Sequence, residues 1–199
     1  MEIVIASHNV HKIREFREMF KGVKGVDILS LMSFPQYTPP PEEGKTFEEN
    51  AVLKARDAGN WLNKCVIADD SGLVVPSLNG APGVYSRRYA ADCATDAENR
   101  QKLLKEMNGL NGLERSAYFE CCLVLYDPNK FEKVVTGICE GTIAEDEKGR
   151  NGFGYDSIFV KNDYDKTFAE LDEKIKNRVS HRRKALEKLF IIIETLMMK

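Results

Sequence analysis

The chain has 199 residues, of which 43% are hydrophobic and 30% are charged, a balance typical of globular proteins rather than disordered or fibrous ones. Its formal net charge of −2 argues against a protein that coats nucleic acid, because such proteins normally present a broad basic surface. No apolar run approaches the roughly 20 residues that span a bilayer, and the start lacks a signal-peptide pattern, so we expect a soluble cytoplasmic protein without membrane contact.

In its first third, the chain predicts alternating strands and helices. An apolar strand over residues 3–6 precedes a polar loop and a helix, and a second strand is predicted near residues 26–31. A run of prolines then excludes regular structure before residue 46. Thr46 and Glu49 predict a capping box at the start of the next helix.

The middle of the chain predicts an interrupted strand. It begins as a buried strand over residues 66–68, runs into the polar segment 69–72, and resumes over residues 73–75. Asp96 is then predicted to cap a helix.

Hairpins and one long helix are predicted for the second half. Strands are expected over residues 117–126, 131–144 and 157–160. Thr167 predicts a capping box before one long helix near the end of the chain. Helical crossovers early and hairpins late predict an α/β fold with a mixed central sheet and flanking helices, in one domain over residues 1–199.

Three carboxylates lie on or near predicted loops. Asp69 and Asp70 follow a buried strand, and Glu42 lies on the proline-rich loop. Carboxylates suit magnesium, which commonly takes one or two of them together with phosphate oxygens and water. The alternative is a simple turn in which Asp69 accepts from backbone amides. Because successive side chains diverge, one aspartate is expected to be structural and the other catalytic.

Two further segments carry groups suited to a nucleotide. Ser7, His8, Asn9 and Lys12 lie between a strand and a helix start, where free backbone N–H groups favour a phosphate anion. Such polar loops are also common without any ligand. Phe153 could stack on a base, as could Tyr155, although aromatic residues in a glycine loop often only pack.

The densest basic run lies near the C-terminus, and a solvated helix face is the ordinary interpretation of such a run. Its members are Lys174, Lys176, Arg178, His181, Arg182, Arg183 and Lys184. Because the chain as a whole is acidic, the run also suggests a local site for a polyanion.

Five separated segments together resemble the inosine triphosphate pyrophosphatase family, which removes non-canonical purine nucleotides. The matching segments, in order, are SHNVHKIREF, EEGKTFEENAVLKA, IADDSGLVVPSLNGAPGVYSRRYA, GFGYDSIF and SHRRKAL. The resemblance covers nearly the whole chain. It implies an elongated mixed sheet, two lobes with an active-site cleft between them, and a homodimer.

The resemblance also implies residue roles. Asp70 would be the catalytic acid and a metal ligand, and Glu42 would be the second ligand of a Mg²⁺ ion. The substrate-binding residues would be Ser7, His8, Asn9, Val10, His11, Lys12, Lys54, Ser71, Phe153, Gly154, Tyr155, Asp156, Lys176, His181 and Arg182. Residues 7–12 would hold the triphosphate with the help of Lys54 and Lys176. Residues 153–156, His181 and Arg182 would hold the base.

The expected reaction is hydrolysis of ITP, dITP or XTP to the nucleoside monophosphate and pyrophosphate. Two positions depart from the family pattern: His11 replaces a usual glycine, which could require a positive φ, and Ser157 replaces a usual proline. One alternative is the related Maf-like group of pyrophosphatases, whose opening motif is arginine-rich. Another is a nucleotide-binding or nucleic-acid-binding module without turnover, which the acidic residues would hinder.

Overall fold

The protein, described here from a computed structural model over residues 1–128 and 130–198, contains a single mixed sheet within that range. Its strands are β1 (Glu2–Ile5), β2 (Asp27–Ser30), β3 (Val66–Val74), β4 (Ser116–Asp127), β5 (Phe131–Ile143) and β6 (Phe159–Lys161). Their order across the sheet is β2-β1-β3-β4-β5-β6. β1 is parallel to β2 and β3, whereas β5 and β6 are antiparallel. The predicted α/β fold with a mixed sheet is confirmed.

The first four α-helices of the described chain each follow a polar N-cap residue. They are α1 (Val10–Phe20), α2 (Phe47–Leu62), α3 (Asp96–Glu106), α4 (Glu173–Val179) and α5 (His181–Met197). Thr46 caps α2 as predicted, but the Glu49 carboxylate accepts from the backbone of Lys45 rather than completing the box. The cap of α3 is Thr95, paired with Glu98 in a full capping box, so the prediction of Asp96 as the cap is wrong by one residue.

Strand β3 is continuous through the acidic segment, which corrects the predicted interruption. Aspartate, serine and glycine are typical of turns, and this composition misled the sequence interpretation. In the structure, Asp69 and Asp70 are buried within the strand and each carboxylate accepts from a cationic side chain. The strand can therefore include both charges without leaving either one unpaired.

The predicted C-terminal helix is two helices. Ser180 adopts an extended backbone conformation between α4 and α5 and ends the first of them. Thr167 does not start a helix: its N–H donates to Glu170 in a turn, and Asp172 caps α4 instead. Both corrections concern local capping chemistry, because aspartate caps a helix at least as well as threonine and a polar residue can also end one.

The chain separates into two compact units, each with its own core. The first unit contains Met1–Asp70, Cys121–Gly137 and the segment that begins at Arg182; its core includes Ile5, Phe16, Ile67, Leu123 and Leu186. The second unit contains Ser71–Glu120 and Ile138–His181; its core includes Leu73, Leu103, Phe119, Phe159 and Phe168. Within the described residues, no helix is long and apolar enough to cross a membrane.

Candidate active site

Asp69 and Asp70 point to opposite faces of β3, because successive side chains alternate along a strand. Both are buried, with relative exposures of 3% and 7%. Their contacts are accordingly different, and each aspartate belongs to its own cluster within the first unit. The expectation that the two side chains diverge is confirmed.

Asp69 is held by two cations. Its Oδ1 accepts from Lys12 Nζ at 2.5 Å, and its Oδ2 accepts from Arg182 Nε at 2.6 Å. The Cys121 thiol also donates to Oδ2, at 3.4 Å. Arg182, which is 1% exposed, makes a second ion pair with Glu15 of α1. Burial acts to raise the pKa of Asp69, but Arg182 and Lys12 outweigh it and hold the pKa well below the usual range.

Asp70 lies in a second cluster with α2. Its Oδ1 accepts from Lys54 Nζ at 2.9 Å, and its Oδ2 accepts from Asn50 Nδ2 at 3.1 Å. Lys54 also donates to Glu42 Oε1, at 2.9 Å, so one ammonium group joins two carboxylates. Asn50 is itself oriented by Gly44, whose N–H donates to the Asn50 Oδ1 at 2.8 Å.

The two charged partners in this second cluster have shifted pKa values. Burial raises the pKa of Asp70, and the opposing Lys54 and Lys12 ammonium groups do not cancel that effect. For Lys54, burial acts to lower the pKa, but Asp70 and Glu42 outweigh it and raise the pKa. The cluster thus combines an aspartate whose protonation is eased by burial with a lysine that stays charged.

The loop before α1 uses its own side chains to cap the helix. Asn9 Oδ1 accepts from the backbone N–H groups of His11 and Lys12, at 2.9 and 3.2 Å. The premise that these N–H groups are free for phosphate is therefore wrong in this structure, because the Asn9 cap satisfies them. His11 lies within α1 and has no positive φ, so histidine in place of glycine imposes no backbone strain. His8, Val10 and His11 are exposed.

In the second unit, the predicted base-binding loop surrounds a buried ion pair. Asp156 Oδ2 accepts from Lys176 Nζ at 2.6 Å and from the Phe153 N–H at 2.9 Å. The Lys176 ammonium also lies 4.7 Å from the centre of the Phe153 ring, a cation–π contact. Gly152 has φ +77°, and a Cβ there would lie 2.0 Å from Asp156 Oδ2, so this position requires glycine.

Helix α3 fixes the next residue of this loop. The Gly154 N–H donates to Asp96 Oδ2 at 2.7 Å, and its carbonyl accepts from Arg100 Nη1 at 2.8 Å. Tyr155 is buried, and its hydroxyl donates to the Ser86 carbonyl at 2.8 Å. Tyr155 is thus a packing residue, which is the second of the two interpretations considered for it.

His181 lies at the end of the second unit, stacked on Phe119 with ring centres 4.7 Å apart and planes 14° apart. Ser71 directly follows Asp70 in β3. The predicted site residues therefore fall into two sets. Within the first unit, Lys12 and Arg182 gather around Asp69, and Glu42 and Lys54 gather around Asp70. Within the second unit, residues 153–156 gather with Lys176.

Comparison with known proteins identifies the family of this chain. The model of the Ham1 family matches residues 3–192. This chain belongs to the Ham1 family. It is 59% identical over 197 residues to a protein of Protochlamydia amoebophila called dITP/XTP pyrophosphatase, a match that covers 98% of this chain and 99% of the relative. It is 53% identical over 201 residues to a dITP/XTP pyrophosphatase of Chlamydia abortus, covering 100% of this chain and 97% of the relative.

Solved Ham1 structures also match. The Staphylococcus aureus Ham1 protein has a TM-score of 0.86 and 42% identity, and a HAM1 protein from Coxiella burnetii has a TM-score of 0.88 and 40% identity. In both comparisons the match covers 98% of this chain and 99% of the other. The family resemblance inferred from the sequence motifs is confirmed.

Four polar residues of this Ham1 chain hold site residues in place, a role that the sequence interpretation predicts for none of them. They are Glu15, Asn50, Asp96 and Arg100. One of them had a detectable signal: Asn50 lies four residues before Lys54 in the apolar stripe of α2, so both face the buried side of that helix. The Gly154 contacts of α3 join residues 54 and 58 positions apart, and no local pattern predicts them.

Proposed function

We propose that this chain hydrolyses ITP, dITP and XTP between the α and β phosphates, giving the nucleoside monophosphate and pyrophosphate. Membership of the Ham1 family and relatives called dITP/XTP pyrophosphatase support the proposal. The observation that carries it is the cluster around the buried Asp70, in which the Asp70 carboxylate and the half-buried Glu42 carboxylate both contact the Lys54 ammonium group.

Magnesium is part of this proposal, and the charge of the Asp70 cluster supports it. Two carboxylates and one ammonium group leave one negative charge, which by itself would repel a triphosphate. Asp70 and Glu42 both accept a hydrogen bond from the Lys54 ammonium group, so their oxygens lie near one another. Carboxylate oxygens are ligands of the kind that magnesium binds. Asp70 and Glu42 would hold the ion. When bound, it would neutralise charge on phosphate oxygens.

Over the described residues, no three His, Cys, Asp or Glu side chains gather into a metal-binding group. Magnesium commonly needs only one or two protein carboxylates, because substrate oxygens and water complete its shell.

Asp70 is the proposed general base. It would accept a proton from the water whose oxygen attacks the α-phosphorus, while the bond from that phosphorus to the bridging oxygen breaks. Lys12 and Lys54 would stabilise the negative charge on the departing pyrophosphate. All three side chains belong to the first unit and lie on β3, α1 and α2.

The second unit would bind the base. The resemblance assigns Lys176 to the triphosphate, but its contacts with Asp156 and Phe153 of the predicted base-binding loop favour a role at the base instead. The Lys176 ammonium is a donor suited to the 6-oxo group shared by hypoxanthine and xanthine, whereas adenine presents an amino donor there. Phe153 offers an aromatic ring on which the base could stack, and the Lys176 ammonium lies 4.7 Å from the centre of that ring. A site built from hydrogen bonds of this kind discriminates more strongly than an apolar pocket.

Other parts of the proposal concern assembly and location. The proposal includes a homodimer, which the family resemblance implies, and a cytoplasmic location, which suits an enzyme of the nucleotide pool; light scattering on the purified protein tests the dimer. A nucleic-acid partner is disfavoured, since Lys176, His181 and Arg182 of the basic run are buried rather than displayed on one surface.

The test is a panel of ITP, dITP, XTP, GTP and ATP, with nucleotide products, pyrophosphate and orthophosphate each quantified. We expect ITP, dITP and XTP to give monophosphate and pyrophosphate, with much slower turnover of ATP and GTP. Chelation with EDTA should abolish the reaction and added Mg²⁺ should restore it. Release of a diphosphate and orthophosphate as first products would contradict the proposed bond, and full activity in EDTA would contradict the metal requirement.

A further inference from the structure

A chain of four alternating charges runs through the first unit, in the order Glu15, Arg182, Asp69, Lys12. Arg182 pairs with Glu15 and lies 2.6 Å from Asp69, and Asp69 lies 2.5 Å from Lys12. The side chains of Glu15, Arg182 and Asp69 are 6%, 1% and 0% exposed, but that of Lys12 is 15% exposed. The buried network thus opens to solvent at Lys12.

The network closes on itself through α1. Lys12 and Glu15, the two ends of the network, are three residues apart in α1 and therefore lie on the same face of that helix. Between them, each oxygen of Asp69 accepts from a different cation, and Arg182 contacts a different carboxylate with each of two nitrogens. Turning the Asp69 carboxylate would break its contacts with both cations. The planar guanidinium of Arg182 makes this arrangement more rigid than a lysine would.

Lys12 needs such support if it is to act on a ligand. Its ammonium sits on a flexible four-carbon stem and would otherwise sample several rotamers. A catalytic contact that is displaced by about 1 Å can cost about 10²-fold in rate. The Asp69 contact fixes the ammonium in one place, and Glu15 fixes the guanidinium that holds Asp69.

We propose that Glu15 and Asp69 are positioning residues, which hold the Lys12 ammonium where it meets the substrate phosphates, with Glu15 acting through Arg182 and Asp69. The inference rests on the proposed phosphate role of Lys12. It assigns Glu15 a part in turnover although its side chain is buried on the far side of Arg182. It also makes Asp69 the supporting aspartate and leaves proton transfer to Asp70.

The competing explanation is that the four charges only stabilise the fold. The two explanations differ in one respect. A positioning residue loses its effect on turnover when the group it positions is absent, whereas a structural residue does not.

The experiment is a double-mutant cycle on four proteins: wild type, Glu15→Gln, Lys12→Met and the double variant. We expect Glu15→Gln to lower kcat/KM for ITP by roughly 10- to 100-fold. In the Lys12→Met background, the same substitution should cost less than about 2-fold, because the ammonium group that Glu15 positions is then absent. If the two residues acted independently, their effects on kcat/KM would multiply instead. Glu18→Gln is the matched control: Glu18 is on the same helix, pairs with Lys21 on the surface, and should change kcat/KM by less than about 2-fold.

Equal losses from Glu15→Gln in both backgrounds would overturn the proposal, as would a folded Glu15→Gln protein with wild-type kcat/KM. Lys12→Met without any loss would also overturn it. If Glu15→Gln does not fold, Glu15→Asp keeps the charge, shortens the side chain and goes through the same cycle. The affinity of the same proteins for the α,β-methylene analogue of ITP, which cannot be cut at that bond, is measured by titration calorimetry and repeats the cycle without turnover. A failure of the hydrolase proposal and a failure of the positioning proposal therefore give different results.

Discussion

Asp70→Asn is the substitution that most sharply separates catalysis from folding in this site. It keeps the size of the side chain but replaces one carboxylate oxygen with an NH₂ group. Both oxygens of Asp70 accept hydrogen bonds, one from Lys54 at 2.9 Å and one from Asn50 at 3.1 Å. The new NH₂ must therefore face a donor, whichever way the amide turns. Asn50 cannot relieve this conflict by flipping, because Gly44 holds its amide in one orientation.

The cost in stability follows from that conflict. A buried donor without an acceptor costs about 1 to 3 kcal/mol. In a chain of this size, 1 kcal/mol corresponds to about 2 to 4 °C in melting temperature, so we expect a fall of roughly 2 to 12 °C. The variant should still be folded at 20 °C, where circular dichroism should match that of the wild type.

The cost in activity should be much larger. A positioned general base contributes about 10²- to 10⁴-fold, and weaker metal binding would add to that loss. The assay is pyrophosphate release from ITP at 20 °C with saturating Mg²⁺. Asp57→Asn is the control, because Asp57 lies exposed on α2, accepts one hydrogen bond from Tyr37, and has no place in the site. A folded Asp70→Asn protein with more than about a tenth of wild-type kcat would refute the role of Asp70 as the base.

Three other predictions concern the described contacts. Lys176→Met should destabilise the protein by about 3 to 5 kcal/mol, since it leaves Asp156 buried without its cation; an unchanged thermal midpoint would contradict this. Arg182→Ala should lower the midpoint at least as much, because the buried Glu15 and Asp69 both lose their contact with the guanidinium, although Asp69 keeps its contact with Lys12; an unchanged midpoint would contradict this. Cys93 is exposed and the other four cysteines are buried, so one thiol should react quickly with Ellman's reagent in the native protein, and Cys93→Ser should remove that fast phase.

The sequence predicted the features that depend on local geometry. Asp69 and Asp70 diverge because neighbours in a strand always do, and Thr46 caps α2 because its hydroxyl accepts a helix N–H. Asn9 could have been predicted as the cap of α1 on the same grounds. That prediction would have shown that the N–H groups of His11 and Lys12 were already satisfied.

The partners of the charged residues could not be predicted in this way. Arg182 meets Asp69 across 113 residues and Glu15 across 167, and no periodicity in a single sequence relates positions so far apart. The same long-range contacts explain why residues 69–72 were mistaken for an interruption of β3. A polar segment can continue a buried strand when distant cations neutralise it, and only the fold supplies those cations.

The central claim of this account is attack by water at the α-phosphorus, and isotope transfer tests it directly. ITP is hydrolysed in water enriched in ¹⁸O, the IMP and pyrophosphate are separated, and the ¹⁸O content of each product is measured by mass spectrometry. Attack at the α-phosphorus predicts one ¹⁸O atom in the IMP phosphate and none in pyrophosphate at early times. Label in pyrophosphate, or IDP and orthophosphate as first products, would contradict the account.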